Sequence, residues 1–305
     1  VAAASRIRSG VRTAREDLGF ELDVSIGIAF YPEHGEDIEE LIRLADRALY
    51  IAKKSGDRTH IGEDELPLDE AAVNVVFQPV VDTNTRGTIG YEALSRDPSG
   101  GSGVHGLFRR YEAVGQLDEL KRMIFGRQIA EAERLRLQRV FVNIDLPMLE
   151  SLEPIQCPES IEVVLEISES ETVRNPDRYL EVVALWRDRG FKFAIDDFGS
   201  GFISLPFVAR LFPNFIKMDR VAILEAGDSP RFSSFMRDLV AAMRNYSKEG
   251  IIAEGVETEE ELAMVKRIGV DQVQGHLTGR PREMGREEEG EGRAAPVLPD
   301  NSAPR

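Results

Sequence analysis

Between residues 74 and 275, short strand-like runs alternate with amphipathic helical stretches, and all but the first run carry an acid, an amide or a lysine at or near the end. Such alternation is the mark of an α/β fold with a mainly parallel sheet. The runs are 75–81, 88–94, 140–144, 161–167, 191–197, 214–219, 250–257 and 270–275. Eight candidate strands in about 210 residues point to a TIM-like (β/α)8 barrel. The first connection breaks the regular pattern. Asp82-Thr-Asn-Thr-Arg-Gly87 is too short for a parallel crossover and must be a hairpin, so one strand is expected to run antiparallel.

In a barrel of this kind the functional groups lie at the C-terminal ends of the strands. Those ends carry Glu92, Asn143, Glu166, Asp196 with Asp197, Lys217 with Asp219, Glu254 with Glu257, and Gln274. Taken alone, Asp196-Asp197 reads as a helix cap beside a solvated acid. The set reads differently, because carboxylates gathered at one rim repel each other unless cations sit among them. Oxygen ligands without Cys or His favour Mg²⁺ or Mn²⁺ over Zn²⁺. More than four carboxylates suffice for two ions about 4 Å apart, an arrangement suited to in-line attack of water on a phosphodiester.

Charge narrows the partners. A net charge of −16 and a pI near 4.9 argue against polymeric nucleic acid and anionic membranes. A phosphate ligand held through metal ions remains compatible. The single cysteine, Cys157, excludes an internal disulfide framework, reads as a structural thiol and suits a cytoplasmic location. No stretch approaches the roughly 20 apolar residues of a membrane span. No signal peptide is visible, and a start at Val1 leads us to expect a missing upstream part, which could make this the cytoplasmic portion of a larger, membrane-anchored protein.

The first sixty residues form a separate piece. Leu22, Val24, Ile26, Ile28 and Phe30 alternate as in a strand, and Ile38, Leu41, Ile42, Ala45, Ala48, Leu49 and Ala52 share a helical face. Residues 3–19 suggest another helix, and 59–61 a short strand. The wording Val24-Ser-Ile-Gly-Ile-Ala and Ala45-Asp-Arg-Ala-Leu-Tyr-Ile-Ala-Lys-Lys-Ser-Gly resembles the C-terminal third of a GGDEF (diguanylate cyclase) domain. That family's signature would precede Val1, so no cyclase activity is assigned. The resulting organisation is a partial α/β GGDEF-like fragment at 1–62, an acidic linker at 63–73, a barrel at 74–283 and a disordered acidic, Pro-rich tail at 284–305. The glycine-rich stretch 98–106 reads as a flexible loop without a chemical role. His34, His60, His105 and His276 lack metal-ligand spacing.

The barrel's motifs resemble a known family as well. Tyr91-Glu-Ala-Leu-Ser-Arg96 is similar to the signature of EAL-domain cyclic di-GMP phosphodiesterases. The likeness continues through Phe77-Gln-Pro, Val142-Asn, Leu165-Glu-Ile-Ser-Glu169, Asp196-Asp-Phe-Gly-Ser-Gly, Ile216-Lys-Met-Asp, Ala253-Glu-Gly-Val-Glu-Thr and Gln274-Gly with Pro281. The resemblance implies a TIM-like barrel with one antiparallel strand, a homodimer, and metal-dependent hydrolysis of cyclic di-GMP to linear pGpG in bacterial signalling. It implies that Glu92, Asn143, Glu166 and Asp196 bind a first ion, with Asp196 shared and Asp197 on a second. By the same resemblance Lys217 holds the attacking water, Glu254 is its general base and Gln274 orients groups around it. Gln78 and Arg96 contact the dinucleotide, and Glu169, Asp219 and Glu257 support the ligands and the loop after Asp197. Ser200 and Phe202-Ile203 depart from the family's usual Thr and Tyr-Ser, and the segment after Arg96 is shorter than usual; neither change removes a ligand. The rival readings are a cyclic di-GMP receptor or interaction domain with little turnover, and an unrelated metal-dependent barrel enzyme.

Overall fold

The computed structural model describes residues 3–4, 6–11, 24–32, 34–35, 37–55, 59–61, 68, 72–98, 103–168, 176–199 and 205–285. It divides into two compact units, residues 1–73 with 97–123 and residues 74–96 with 124–305. In the first unit, β1 (Ile26–Ile28) pairs in parallel with β2 (Thr59–Ile61) across α1 (Ile38–Ser55). α1 buries Leu44, Ala48 and Ala52. Gly27 lets it approach, since a Cβ there would stand 2.1 Å from the Ala45 carbonyl oxygen. Residues 3–4 and 6–11 are helical; the rest of the expected first helix, most of the linker and residues 286–305 lie outside the described residues.

The same unit holds α2 (Gly103–Ala113) and the start of α3 (Leu117–Arg134). Here the structure corrects the expectation of a loop through residue 106. Val104, Leu107, Phe108 and Tyr111 keep a helical spacing that outweighs the glycines, and Leu107 and Tyr111 are buried.

The second unit is a closed eight-stranded barrel. Its strands are β3 (Asn74–Asp82), β4 (Thr88–Arg96), β5 (Arg139–Asn143), β6 (Glu162–Ser168), β7 (Lys192–Phe198), β8 (Phe215–Met218), β9 (Gly250–Ala253) and β10 (Gln272–Gln274), with β10 closing onto β3. The expected hairpin is there: β3 runs antiparallel to both β4 and β10, and the remaining pairs are parallel. Outside lie α4 (Leu146–Ser151), α5 (Pro176–Arg187), α6 (Leu205–Leu211), α7 (Arg220–Asp228), α8 (Pro230–Met243) and α9 (Glu259–Ile268). A large apolar core separates barrel from helices, with Trp186 set edge-on to Phe125 and Phe191. Cys157 is free, and burial pushes its thiol pKa up, as befits a structural thiol. No helix among the described residues is long and apolar enough to cross a membrane.

Inside the barrel the two-residue period of the strands builds layers. Val80, Phe141, Val164, Ala194, Phe215 and Ile252 form a small apolar cluster of their own, each fully buried. Two residues before three of these positions come Arg139, Glu162 and Lys192, and three before Ile252 comes Glu249. They close a ring of ion pairs: Arg139 with Glu162 and, at 2.8 Å, with Glu249; Lys192 with Glu162 and, at 2.5 Å, with Glu249. Asn214 donates to Glu249 at 2.8 Å, and the Arg139 guanidinium lies 5.0 Å over the Phe215 ring. This charged floor has no counterpart in the reading of the sequence.

Candidate functional site

The functional layer lies one strand step beyond the apolar plug. Asn143 follows Phe141, Glu166 follows Val164, Asp196 follows Ala194, Lys217 follows Phe215 and Glu254 follows Ile252, each two residues on and on the same strand face. Glu92 enters from the hairpin, where it faces Gln78 across β3–β4, and Gln274 sits opposite Val80 on β10. The fold therefore brings these eight side chains to one end of one barrel.

Lys217 stands at the middle, with 0% of its side chain exposed. Its Nζ lies 2.7 Å from Glu166 Oε1, 2.7 Å from Glu254 Oε1, 3.3 Å from Asp196 Oδ1 and 3.4 Å from Glu92 Oε2. Glu92 is further held by Asn143 Nδ2, which donates to Oε1 at 2.8 Å, and by Gln274 Nε2, which donates to Oε2. Gln274 Nε2 also reaches Gln78 Oε1 at 3.2 Å, while Gln78 Nε2 donates to the Gly279 carbonyl at 3.0 Å.

One lysine cannot balance so many acids. Burial opposes its charge, but Glu166, Glu254, Glu92 and Asp196 together push the Lys217 pKa well above the ordinary lysine value. Burial drives the Glu166 carboxyl well above the carboxylate range, with Glu92 adding to it. Burial also lifts Glu254 to about 8, against the pull of Lys217 and with help from Asp196 and Glu92. Glu92 ends below its usual value, because Lys217, Gln274 and Asn143 outweigh its desolvation. Asp197 is raised by burial and by Asp196.

The strand-end acids at 196 and 197 converge through a local break in β7. In a regular strand they would point to opposite faces. The β7–β8 register shifts between Ile195 and Phe198, and Asp197 takes a left-handed φ of 57°. Such a bulge re-aims side chains at a strand end, and Asp tolerates this backbone better than most residues. As a result one oxygen from each of Asp196, Asp197 and Glu254 lies within 4.8 Å of the others.

These residues fit a divalent cation. Glu166 Oε2 and Asp196 Oδ1 are buried without a hydrogen bond, Asp196 Oδ1 having only the Lys217 ammonium nearby at 3.3 Å. Buried oxygens in that condition call for a positive ligand. The donors are all oxygens, which suits Mg²⁺ or Mn²⁺.

The remaining expected residues fall around this core. Arg96 is exposed at the end of β4 and donates to the Ser95 carbonyl at 3.0 Å. Asp219 caps α7 through a 2.7 Å bond from the Val221 backbone N–H. Glu257 pairs with Arg220 at 2.9 Å and stands 3.5 Å from His276 Nδ1. Glu169, Ser200 and Phe202 lie outside the described residues. Arg220 was missed in the sequence because an arginine one step into a helix carries no signal until its partners on another strand are known.

The EAL domain model matches residues 66–281, and the diguanylate cyclase, GGDEF domain, model matches residues 2–59. The bifunctional diguanylate cyclase/cyclic di-GMP phosphodiesterase MucR of Pseudomonas aeruginosa is 28% identical over 311 residues, covering 90% of this chain and 45% of that protein. The cyclic di-GMP phosphodiesterase PdeR of Escherichia coli is 28% identical over 296 residues, covering 84% and 44%. The chain thus spans less than half the length of these relatives. Among solved structures, Klebsiella pneumoniae BlrP1 in a manganese/cyclic di-GMP complex superposes with a TM-score of 0.61 at 26% identity, covering 71% of this chain and 57% of that one. The match to the family model takes in all eight barrel strands and every acid around Lys217, and on that ground the chain belongs to the EAL domain family.

Proposed function

We propose that the barrel hydrolyses cyclic di-GMP to linear pGpG with two Mg²⁺ or Mn²⁺ ions at its mouth. The observation that carries this reading is the charge imbalance around Lys217, one ammonium among four carboxylates, with Glu166 Oε2 buried without a hydrogen bond, on the strand ends that the family match covers. Named relatives that are cyclic di-GMP phosphodiesterases, and a solved neighbour holding manganese and the dinucleotide, support it.

Glu92, Asn143, Glu166 and Asp196 would hold one ion, with Asp196 shared and Asp197 on the other. When bound, such ions polarise the phosphodiester and stabilise the charge that develops on it. In the hydrolysis an O–P bond forms from water and the P–O3′ bond breaks, leaving a 5′-phosphate and a free 3′-hydroxyl. Lys217 orients the attacking water, and Glu254 takes its proton. Burial favours a proton on the Glu254 carboxyl when no ion is bound; cations at the mouth would favour the carboxylate, the form that accepts a proton. Gln274 steadies Glu92 and Gln78. Gln78 and Arg96 meet the dinucleotide, Arg96 through charge-assisted bonds to a phosphate. A cytoplasmic setting agrees with the lone cysteine, and a homodimer remains part of the same reading.

Incubating the purified protein with cyclic di-GMP and Mn²⁺, with pGpG followed by chromatography, tests the proposal. Product should form with the wild type and be lost with Glu92→Ala. Dinucleotide binding without product would show a receptor instead.

A further inference from the structure

The end of β8 and the loop after β9 are tied together by one side chain. Asp219 caps α7, which makes Arg220 the first residue of that helix. The guanidinium turns back over the neighbouring strand end. It donates to the Gly255 carbonyl, to Glu257 Oε2 at 2.9 Å and to Glu261 Oε1 at 3.2 Å. Glu261 Oε2 in turn accepts from the backbone N–H groups of Glu257 at 2.5 Å and Thr258 at 3.2 Å, the latter as half of a capping box on α9. Arg220 therefore grips residues 255–261 both directly and through the start of α9.

The backbone has been shaped for this contact. Gly255 has a φ of 63°, and a Cβ there would stand 2.9 Å from both Cβ and Cδ of Arg220. The arginine stem lies where a side chain would otherwise be. Glu254, the preceding residue, is held from the other side, since its N–H donates to the Met218 carbonyl at 3.0 Å and its Oε1 stands 2.7 Å from Lys217.

We propose that Arg220 is a positioning residue that fixes Glu254 relative to Lys217 by locking the Gly255–Glu261 segment onto the end of β8. The proposal rests on the hydrolytic reading above. Arg220 touches none of the reacting groups; it acts through the loop, and its forked geometry serves three acceptors where a lysine would serve fewer.

Arg220→Met, Arg220→Lys, Gly255→Ala and the Arg220→Met/Gly255→Ala double variant test it. Arg220→Met should lower kcat about tenfold or more, as small misplacements of a base do, with KM for cyclic di-GMP within about twofold. Arg220→Lys should recover part of the loss. Gly255→Ala attacks the same contact from the other side, so the double variant should lose no more than the worse single one. Additive losses, unchanged kcat, or a raised KM with kcat kept would overturn the assignment. A second arm needs no turnover: amide hydrogen exchange at 254–258 should quicken in Arg220→Met while β5 and β6 keep their protection. Unchanged exchange there would overturn the lock, whereas a wild type that makes no pGpG would refute the hydrolytic reading and leave the exchange arm to decide on Arg220.

Discussion

Lys217 is surrounded by four carboxylates within 3.4 Å and is wholly buried, so its removal should hurt twice. Lys217→Met leaves buried acids without their cation, a loss of about 3–5 kcal/mol when one partner of a buried pair goes. Its melting temperature in chelator should drop by several degrees, and Mn²⁺ should restore much of it while turnover stays abolished. The proton affinity of Glu254 gives a second expectation. Its folded pKa of about 8 lies above the ordinary carboxyl value of 4.5. Between those two values the folded protein keeps a proton that the unfolded chain has released, so stability falls as pH rises through that window. Glu166 is shifted in the same direction. A thermal melt series in EDTA should therefore decline as pH rises from 4.5 to about 8, and Glu254→Gln should make the decline shallower. A melt series that rises over that range would contradict the assignment. These residues were legible in the sequence because each ends an apolar run at a place where a barrel puts its chemistry. That Lys217 would be their common centre was not, since a lysine between Ile216 and Met218 reads equally well as one more polar strand end.

The elements divide the work between the two ends of the barrel. The apolar plug of Phe141, Val164, Phe215 and their neighbours separates a charged floor from the acidic mouth. Floor and mouth should then fail differently. Glu249 takes contacts from Arg139, Lys192 and Asn214 while staying about a quarter exposed. Glu249→Ala should cost about 2 kcal/mol, less than a fully buried pair, and about 4–8 °C in melting temperature for a unit of this size. Its kcat should match the wild type at temperatures below the melt; a large loss of kcat in a folded variant would refute the separation. The hairpin of β3 and β4 could be read from the chain because six residues cannot carry a parallel crossover. The bulge in β7 could not, because the pattern up to Ile195 is that of a regular strand and the break follows from how Asp196 and Asp197 meet β8. The helix from Gly103 was hidden by its glycines, although the spacing of Val104, Leu107, Phe108 and Tyr111 held the signal. The ring at the floor was hidden for a plainer reason. Arg139, Glu162 and Lys192 come from three adjacent strands, but Glu249 comes from the turn before β9, and only closure of the barrel brings it to the other three.

At the scale of the whole molecule, a net charge of −16 and the anionic dinucleotide proposed as substrate pose a physical problem. Electrostatic steering would repel such a ligand from an acidic mouth. Cations at the mouth would reverse that local sign, so affinity for the dinucleotide and catalysis should rise together with metal occupancy. The closed barrel supplies the rigidity for this, since the acids sit on or just past strand ends and neighbouring strands are hydrogen-bonded all round. The most direct measurement is turnover of cyclic di-GMP by chelator-treated protein as Mn²⁺ is titrated back. The account predicts no pGpG in EDTA and saturable recovery as the ion is restored. Equal turnover in EDTA, or full Mn²⁺ binding with no product, would contradict it.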